Sequence, residues 1–441
     1  MSRVLIVTND FPPRPGGIQS FVHGLASRLP GVVVYASSWR GSAEFDARQP
    51  YPVIRHPSSV MLPTPAVARR AAALVAAYGV DTVVFGAAAP LGLLAPRLRA
   101  AGVRRVVMLT HGHEASWAAV PGFRSVLRRI AASADVVTYL GDYTRARLLR
   151  AVPAAKLVRL APGVDPARFR PSPAAASAVR ARLGLGDRPV AVCVSRLVPR
   201  KGQDQLIRAW PYVLRALPDA VLLLAGGGPY RRRLERLAAS LSLTTSTGWP
   251  TPTQPPTPAH PTPVRRPPTS APPITTGQPT TSAPPVPAGQ PPAAVQPFPS
   301  GQPITPLSPT CAPADIHFTG TIPAEDLASL YAAADVFAMP CRTRWRGIDV
   351  EGLGIVFLEA SAAALPVIAG ASGGAPDAVR HGETGLIVDG ESLPDLTTAL
   401  IDLLSDQDRS RKMGILGREW ITQEWSWDQV VTRFDSILRL P

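Results

Sequence analysis

Two carboxylates eight positions apart frame the stretch with the clearest chemical pattern, Asp349-Val350-Glu351-Gly352-Leu353-Gly354-Ile355-Val356-Phe357-Leu358-Glu359. Its glycines open a helix whose first N–H groups lack intrahelical acceptors and are free to bind a phosphate. Glu351 stands before that helix and Glu359 within it, so the two can hold hydroxyls of two sugars flanking a diphosphate. Asp349 and Glu351 could instead hold a metal, but nearby cations and the helix end already supply the neutralisation a metal would bring. The cations lie in Ser195-Arg196-Leu197-Val198-Pro199-Arg200-Lys201-Gly202. There Arg196 can act as a planar fork and Lys201 as a point charge astride a diphosphate; a solvated basic loop is the plainer alternative. In Asn9-Asp10-Phe11-Pro12-Pro13-Arg14-Pro15-Gly16-Gly17, two glycines between a strand and a helix let backbone N–H groups approach an anion, or serve only a tight turn. Thr110-His111-Gly112-His113-Glu114 follows another strand, where α/β proteins place ligands. No third metal ligand lies near His113-Glu114 in sequence, and His111 reads as a polar catalytic group. Gly370 to Pro376 reads as a loop closing the same cleft.

These groups need elements to hold them. Val4–Thr8 is a buried strand, and Ile18, Phe21, Val22, Leu25 and Leu29 then share a helical face. Thr82–Phe85, Arg105–Thr110 and Val136–Leu140 are further strand-like runs. The alternation implies a parallel sheet covered on both faces. The pattern breaks at Pro162 to Pro171 and restarts with Pro189–Ser195, a helix from Gln203, and Ala220–Ala225. Two similar α/β halves, 1–170 and 171–425, fit this pattern. The last segment, 426–441, is a helix with Ser426 and Gln429 as a capping box and Val430, Val431, Phe434, Ile437 and Leu438 as its apolar face.

One stretch stands outside the scheme. Between Pro250 and Pro309 lie 22 of the 51 prolines, with Arg265 and Arg266 as the only charges. Proline removes backbone donors and fixes φ, so residues 243–314 read as a disordered insertion within the second half, passive rather than partner-binding.

Composition bounds the rest. The chain has 441 residues, enough for two ordinary domains, and no apolar run long enough to cross a bilayer. No signal-peptide pattern opens it, and Cys193, Cys311 and Cys341 have no metal-ligand spacing. The expectation is a cytoplasmic protein. Its net charge of +15 points to an anionic partner, or in part to an arginine-rich background composition. Nucleic acid is set aside, because interleaved aromatics and a recognisable module are lacking.

Together the Glu351/Glu359 spacing, the Arg196/Lys201 pair and the Gly16-Gly17 loop resemble family 4 retaining glycosyltransferases. Thr8 to Pro13, Gly16 to Ser20, Ser195 to Gly202 and Met339-Pro340-Cys341-Arg342-Thr343-Arg344 are similar to the actinobacterial phosphatidylinositol monomannoside α-1,6-mannosyltransferases. The resemblance covers nearly the whole chain outside 243–314. It implies the GT-B fold, two Rossmann-like doubly wound domains facing a cleft, with the final helix crossing back to the first. It implies mannose transfer from GDP-mannose to an inositol glycolipid acceptor, with retention and no cofactor or divalent metal. Carried over by position, Arg196 and Lys201 hold the diphosphate, Glu359 the ribose and Glu351 the mannose. Gly16, Gly17, Gly354, Ile355 and Val356 complete the donor site, Ile322 lies near guanine, and His111 sits beside the anomeric carbon. Asp10, Gln19 and Arg129 are placed at the acceptor. Gly141-Asp142 departs from the family's more usual Val-Ser type pair. The basic surplus, notably Arg124, Arg128 and Arg129 on one helix, then implies peripheral attachment to an anionic membrane at the inner face of the cell membrane.

Overall fold

The structure, a computed structural model, describes residues 3–247 and 315–439. Seven short apolar runs in the first half form one parallel sheet: β1 (Val4–Thr8), β2 (Val33–Ser37), β3 (Val53–His56), β4 (Thr82–Phe85), β5 (Arg105–Met108), β6 (Val136–Tyr139) and β7 (Leu157–Arg159). Their order is β3-β2-β1-β4-β5-β6-β7. Successive residues of β1 enter different cores. Leu5 and Val7 join one beneath the helix Pro65–Tyr78, while Val4 and Ile6 join another beneath Gly17–Ala26. A strand with both faces covered needs apolar residues at every position, so β1 reads as a continuous run rather than an alternating one.

The second half repeats the plan with β8 (Val190–Val194), β9 (Val221–Ala225), β10 (Thr244–Thr247), β11 (Asp315–Gly320), β12 (Val336–Met339), β13 (Val367–Gly370) and β14 (Gly385–Val388). The order is β10-β11-β9-β8-β12-β13-β14, all parallel. In each half the strand order reverses beside the first strand, β1 or β8, which opens a crevice at the carboxyl ends of the strands.

The insertion expected from residue 243 begins later. Thr244–Thr247 pair in parallel with β11, because β-branched residues suit an edge strand even when exposed. The remainder of the proline-rich stretch, with Cys311, lies outside the described residues. Among the described residues no helix is long and apolar enough to cross a membrane.

The final helix, Trp427–Arg439, returns to the first half. Val430, Phe434, Ile437 and Leu438 join the core beneath Gly17–Ala26. Val164 and Trp427 fix its entry: the Val164 N–H donates to Trp425 O, and the Trp427 N–H to Val164 O. Arg418 donates to Phe169 O and Pro166 O, anchoring the connection between the halves to the helix Gln407–Glu424.

Candidate active site

The crevices of the two halves face each other across a cavity of about 670 Å³. Its walls are the loops that leave β1, β5, β8 and β12 at their carboxyl ends. These loops bring together Gly16, Gly17, Gln19, His111, Arg196, Lys201, Glu351, Gly354, Ile355 and Val356. The halves touch along this seam. The Cα of Gly352 would lie 2.8 Å from a Cβ at position 112, and His111 O would lie 2.8 Å from a Cβ at position 352. Only hydrogen fits at either position. Gly352→Ala, placed where φ is not left-handed, should therefore wedge the seam at a cost of about 1–3 kcal/mol. Thermal unfolding of this variant beside wild type would check that loss.

The wall of the second half is electrostatic. Lys201 closes the short turn Pro199–Lys201, and its Nζ lies 2.6 Å from Glu351 Oε2. Both residues are buried, at 8% and 6% exposure. Arg200 Nε stands 3.9 Å from the same oxygen and 3.7 Å from Asp349 Oδ1, and Arg344 Nη1 lies 3.6 Å from Asp349 Oδ2. The Cys341 thiol donates to Glu351 Oε2 at 3.7 Å. Burial alone would raise the Glu351 pKa; Lys201 and Arg200 outweigh it and hold the carboxyl below its ordinary range. The same charge raises the Cys341 thiol, already pushed well up by burial.

Backbone contacts fix Glu351 in place. The Gly374 N–H donates to Glu351 O at 2.9 Å, and the Arg342 N–H donates to Arg200 O at 2.9 Å. The loop expected to close the cleft, Gly370 to Pro376, thus holds the backbone of Glu351. Gly354 caps the helix Ile355–Ala362 at φ +81°, the left-handed region where glycine carries no Cβ penalty. Inside that helix Glu359 accepts a hydrogen bond from Tyr331 OH at 3.0 Å. Burial drives its pKa up to about 7, with Tyr331 pulling the other way.

The wall of the first half is organised around histidines. Glu114 is fully buried; its Oε2 accepts from the His111 N–H at 2.9 Å and its Oε1 lies 3.0 Å from His113 Nε2. Burial opposes ionisation there, yet the two histidines bring Glu114 down to about 2. His111 Nε2 lies 2.5 Å from Gly86 O, which is accounted for if this nitrogen carries the proton and donates. Burial lowers the His111 pKa, so the ring facing the cleft is neutral near pH 7.

Four expected residues stand apart from the lining. Asp10 Oδ1 accepts from Gln19 Nε2 at 2.7 Å and so braces the cleft-lining Gln19. Glu359 sits one turn beyond Ile355 and Val356. Ile322 is half-buried against the core of the second half. Arg129 is exposed on the helix Pro121–Ala132. The sequence reading assigned no role to Arg200, Cys341 or Ser116, whose Oγ donates to Ile348 O across the seam at 2.9 Å. It also missed Asp377, which accepts from the Tyr143 N–H across the halves at 3.2 Å. A Cβ at position 141 would lie 2.2 Å from Asp377 Oδ2, so glycine in the Gly141-Asp142 pair makes room for that contact.

Comparison with known proteins places this geometry. Residues 15–168 match the model of Glycosyltransferase Family 4, and 177–256 with 311–420 match that of Glycosyl transferases group 1. The chain is 46% identical to the GDP-mannose-dependent alpha-(1-6)-phosphatidylinositol monomannoside mannosyltransferase of Mycobacterium tuberculosis, over 100% of this chain and 98% of the relative. It is 39% identical to the GDP-mannose-dependent monoacylated alpha-(1-6)-phosphatidylinositol monomannoside mannosyltransferase of Corynebacterium glutamicum, over 99% and 98%. Among solved structures, sucrose-phosphate synthase from Thermosynechococcus elongatus superposes with a TM-score of 0.69 at 21% identity, covering 100% and 98% of the two chains. The lipopolysaccharide glycosyltransferase WaaG gives 0.62 at 18%, over 99% and 100%. At such identities the likeness is one of fold, the GT-B arrangement of two Rossmann-like domains.

Proposed function

We propose, from the premise that this chain belongs to the family 4 glycosyltransferases, that it moves mannose from GDP-mannose to a phosphatidylinositol monomannoside, forming an α-1,6 linkage. The observation that carries this reading is the buried Lys201–Glu351 pair on the cleft wall, in a chain matching mannosyltransferases of that printed activity along its whole length. Arg196 and Lys201 take the diphosphate, aided by the N–H groups at the opening of the Ile355–Ala362 helix. Glu351 takes mannose hydroxyls, Glu359 the ribose, and Ile322 borders guanine. His111, neutral and held by Gly86, faces the anomeric carbon from the first half.

In the reaction the bond from the anomeric carbon to the phosphate oxygen breaks as a bond to the acceptor hydroxyl oxygen forms on the same face. The hydroxyl proton passes to the departing phosphate. Charge accumulates on the diphosphate as GDP leaves, and fixed cations beside it lower the barrier more than mobile water does. The acceptor enters from the first half, near Gln19 and Asp10, and the protein works at an anionic membrane surface that presents it.

No divalent metal is needed in this scheme, because Arg196, Lys201 and the helix opening supply the positive charge, and Asp349 and Glu351 are each already engaged by cations. Transfer is therefore expected to continue undiminished in EDTA. A loss of activity in chelator, restored by Mg²⁺ or Mn²⁺, would return Asp349 and Glu351 to the role of metal ligands. The reading as a whole is tested by incubating the purified protein with GDP-mannose, and separately UDP-sugars, with and without the inositol lipid.

A further inference from the structure

The most exposed large apolar side chain among the described residues is Trp345, at 67%. It stands at φ +50°, in the left-handed region that bulky residues rarely occupy. It belongs to the turn from Arg344 to Ile348, on the same loop as Asp349 and Glu351, and Ile348 beside it is 52% exposed. This turn meets the first half. Ser116 Oγ donates to Ile348 O, and Arg147 Nη2 lies 3.1 Å from where a Cβ of residue 347 would stand. Next to Ser116, Trp117 packs its ring 4.8 Å from that of Phe123, which is 49% exposed. Apolar side chains from both halves therefore border the mouth of the cleft.

The segments that carry them are rich in basic residues, and Asp349, the acid next to Ile348, is engaged by Arg200 and Arg344. Residues 115–134 contain Arg124, Arg128 and Arg129 and no acid; residues 143–164 contain Arg145, Arg147, Arg150, Lys156 and Arg159 and no acid; residues 336–348 contain Arg342, Arg344 and Arg346 and no acid. The Arg344 guanidinium sits 5.1 Å from the centroid of the Trp345 ring, and Arg128 reaches Arg150 O between two of these segments. Exposed aromatics on arginine-rich segments are the composition that settles at the boundary of an anionic lipid layer. There the indole ring sits at headgroup depth and the cations meet phosphate.

We propose that the Arg344–Ile348 turn is a lipid-contacting element of the donor half. Trp345 enters the boundary of an anionic membrane alongside Phe123 of the first half. This rests on the lipid-acceptor reading and adds to it a contact on the donor side of the cleft. It has a thermodynamic consequence. A surface that grips both walls favours the closed cleft, and a donor that bridges the same walls does likewise. Lipid and nucleotide then strengthen each other's binding by the same factor.

The test uses the full chain and phosphatidylcholine vesicles with and without phosphatidylinositol. Wild-type protein should cosediment with the anionic vesicles, and these should tighten GDP binding several-fold. Trp345→Ala should bind the vesicles several-fold more weakly and lose that enhancement, while its GDP affinity without vesicles matches wild type. Trp345→Phe should keep most of both effects. The proposal is overturned if Trp345→Ala binds anionic vesicles as wild type does, if vesicles leave GDP affinity unchanged, or if wild type ignores them. Mannosyl transfer to the acceptor dissolved in detergent micelles separates the two readings. Equal transfer by wild type and Trp345→Ala there, with unequal vesicle binding, supports the proposal. Absence of transfer by wild type in micelles instead removes the acceptor assignment on which the proposal rests, and overturns it as stated.

Discussion

Lys201→Ala is expected to lower mannosyl transfer by about 10²–10³-fold, the usual cost of losing one group that stabilises charge in the transition state. It should also destabilise the fold. Glu351 would keep its charge at 6% exposure without the ammonium 2.6 Å away. Removing one partner of a buried pair costs on the order of 3–5 kcal/mol. Arg200, 3.9 Å from the same oxygen, and the Cys341 thiol remain, so the lower end is expected. The pH dependence follows from the sign of the shift. Glu351 is depressed in the folded protein, so its pairing stabilises above the ordinary carboxyl pKa and is lost as pH falls through the folded value. The stability deficit of Lys201→Ala should therefore be full at neutral pH and shrink in acid. Arg196 is the internal control. It lines the cleft but is exposed and pairs with no carboxylate among the described residues, so Arg196→Ala should lose rate with little loss of stability. Thermal unfolding across pH, beside turnover, reads both effects. Normal turnover in both variants would move the diphosphate elsewhere.

The second large effect is that of Glu351→Gln. Gln keeps the shape and loses the charge, so it can no longer accept mannose hydroxyls as a carboxylate, and transfer should fall by about 10²-fold, on the scale of a lost charge-assisted contact. GDP binding should respond in the opposite sense. With its carboxylate gone, Lys201 is released to the diphosphate, so GDP affinity should hold or rise. Calorimetry with GDP and turnover with GDP-mannose separate the two. Loss of GDP binding in this variant would place Glu351 on the nucleotide rather than on the sugar.

The difference between these two residues was not legible in the sequence. Both were singled out, but 150 positions separate them, and nothing in either motif shows that they pair. Their meeting depends on β8 and β12 lying side by side and on the Arg342 to Arg200 backbone bond. Val4–Thr8 and Val221–Ala225 were legible because burial on both faces leaves continuous apolar runs, whereas Val33–Ser37 and Val336–Met339, equally buried, were not picked out. Nor were the edge strands. Val53–His56 and Leu157–Arg159 are half-buried and carry charged or polar residues, and Thr244–Thr247 is exposed throughout. Such segments owe their form to a neighbour's hydrogen bonds rather than to a pattern of their own. Arg200 escaped for a related reason. Three cations within six positions offer equivalent chemistry, and the short turn Pro199–Lys201 decides which of them reach the carboxylates. Histidine 111 was read as a cleft residue from its place after a strand, whereas Glu114, which orders it, looked like half of an incomplete metal site.

The central claim is that the cationic wall of the second half holds GDP-mannose for transfer to an inositol glycolipid with the sugar's configuration kept. The most direct measurement is the structure of the product that the purified chain makes from GDP-mannose and phosphatidylinositol monomannoside, determined by NMR at the new anomeric centre. The account predicts a lipid-linked dimannoside joined through α-mannose at O6, formed by wild type and nearly absent with Lys201→Ala and Glu351→Gln. A β-linked product, mannose released only as free sugar, or equal product from these variants would contradict it.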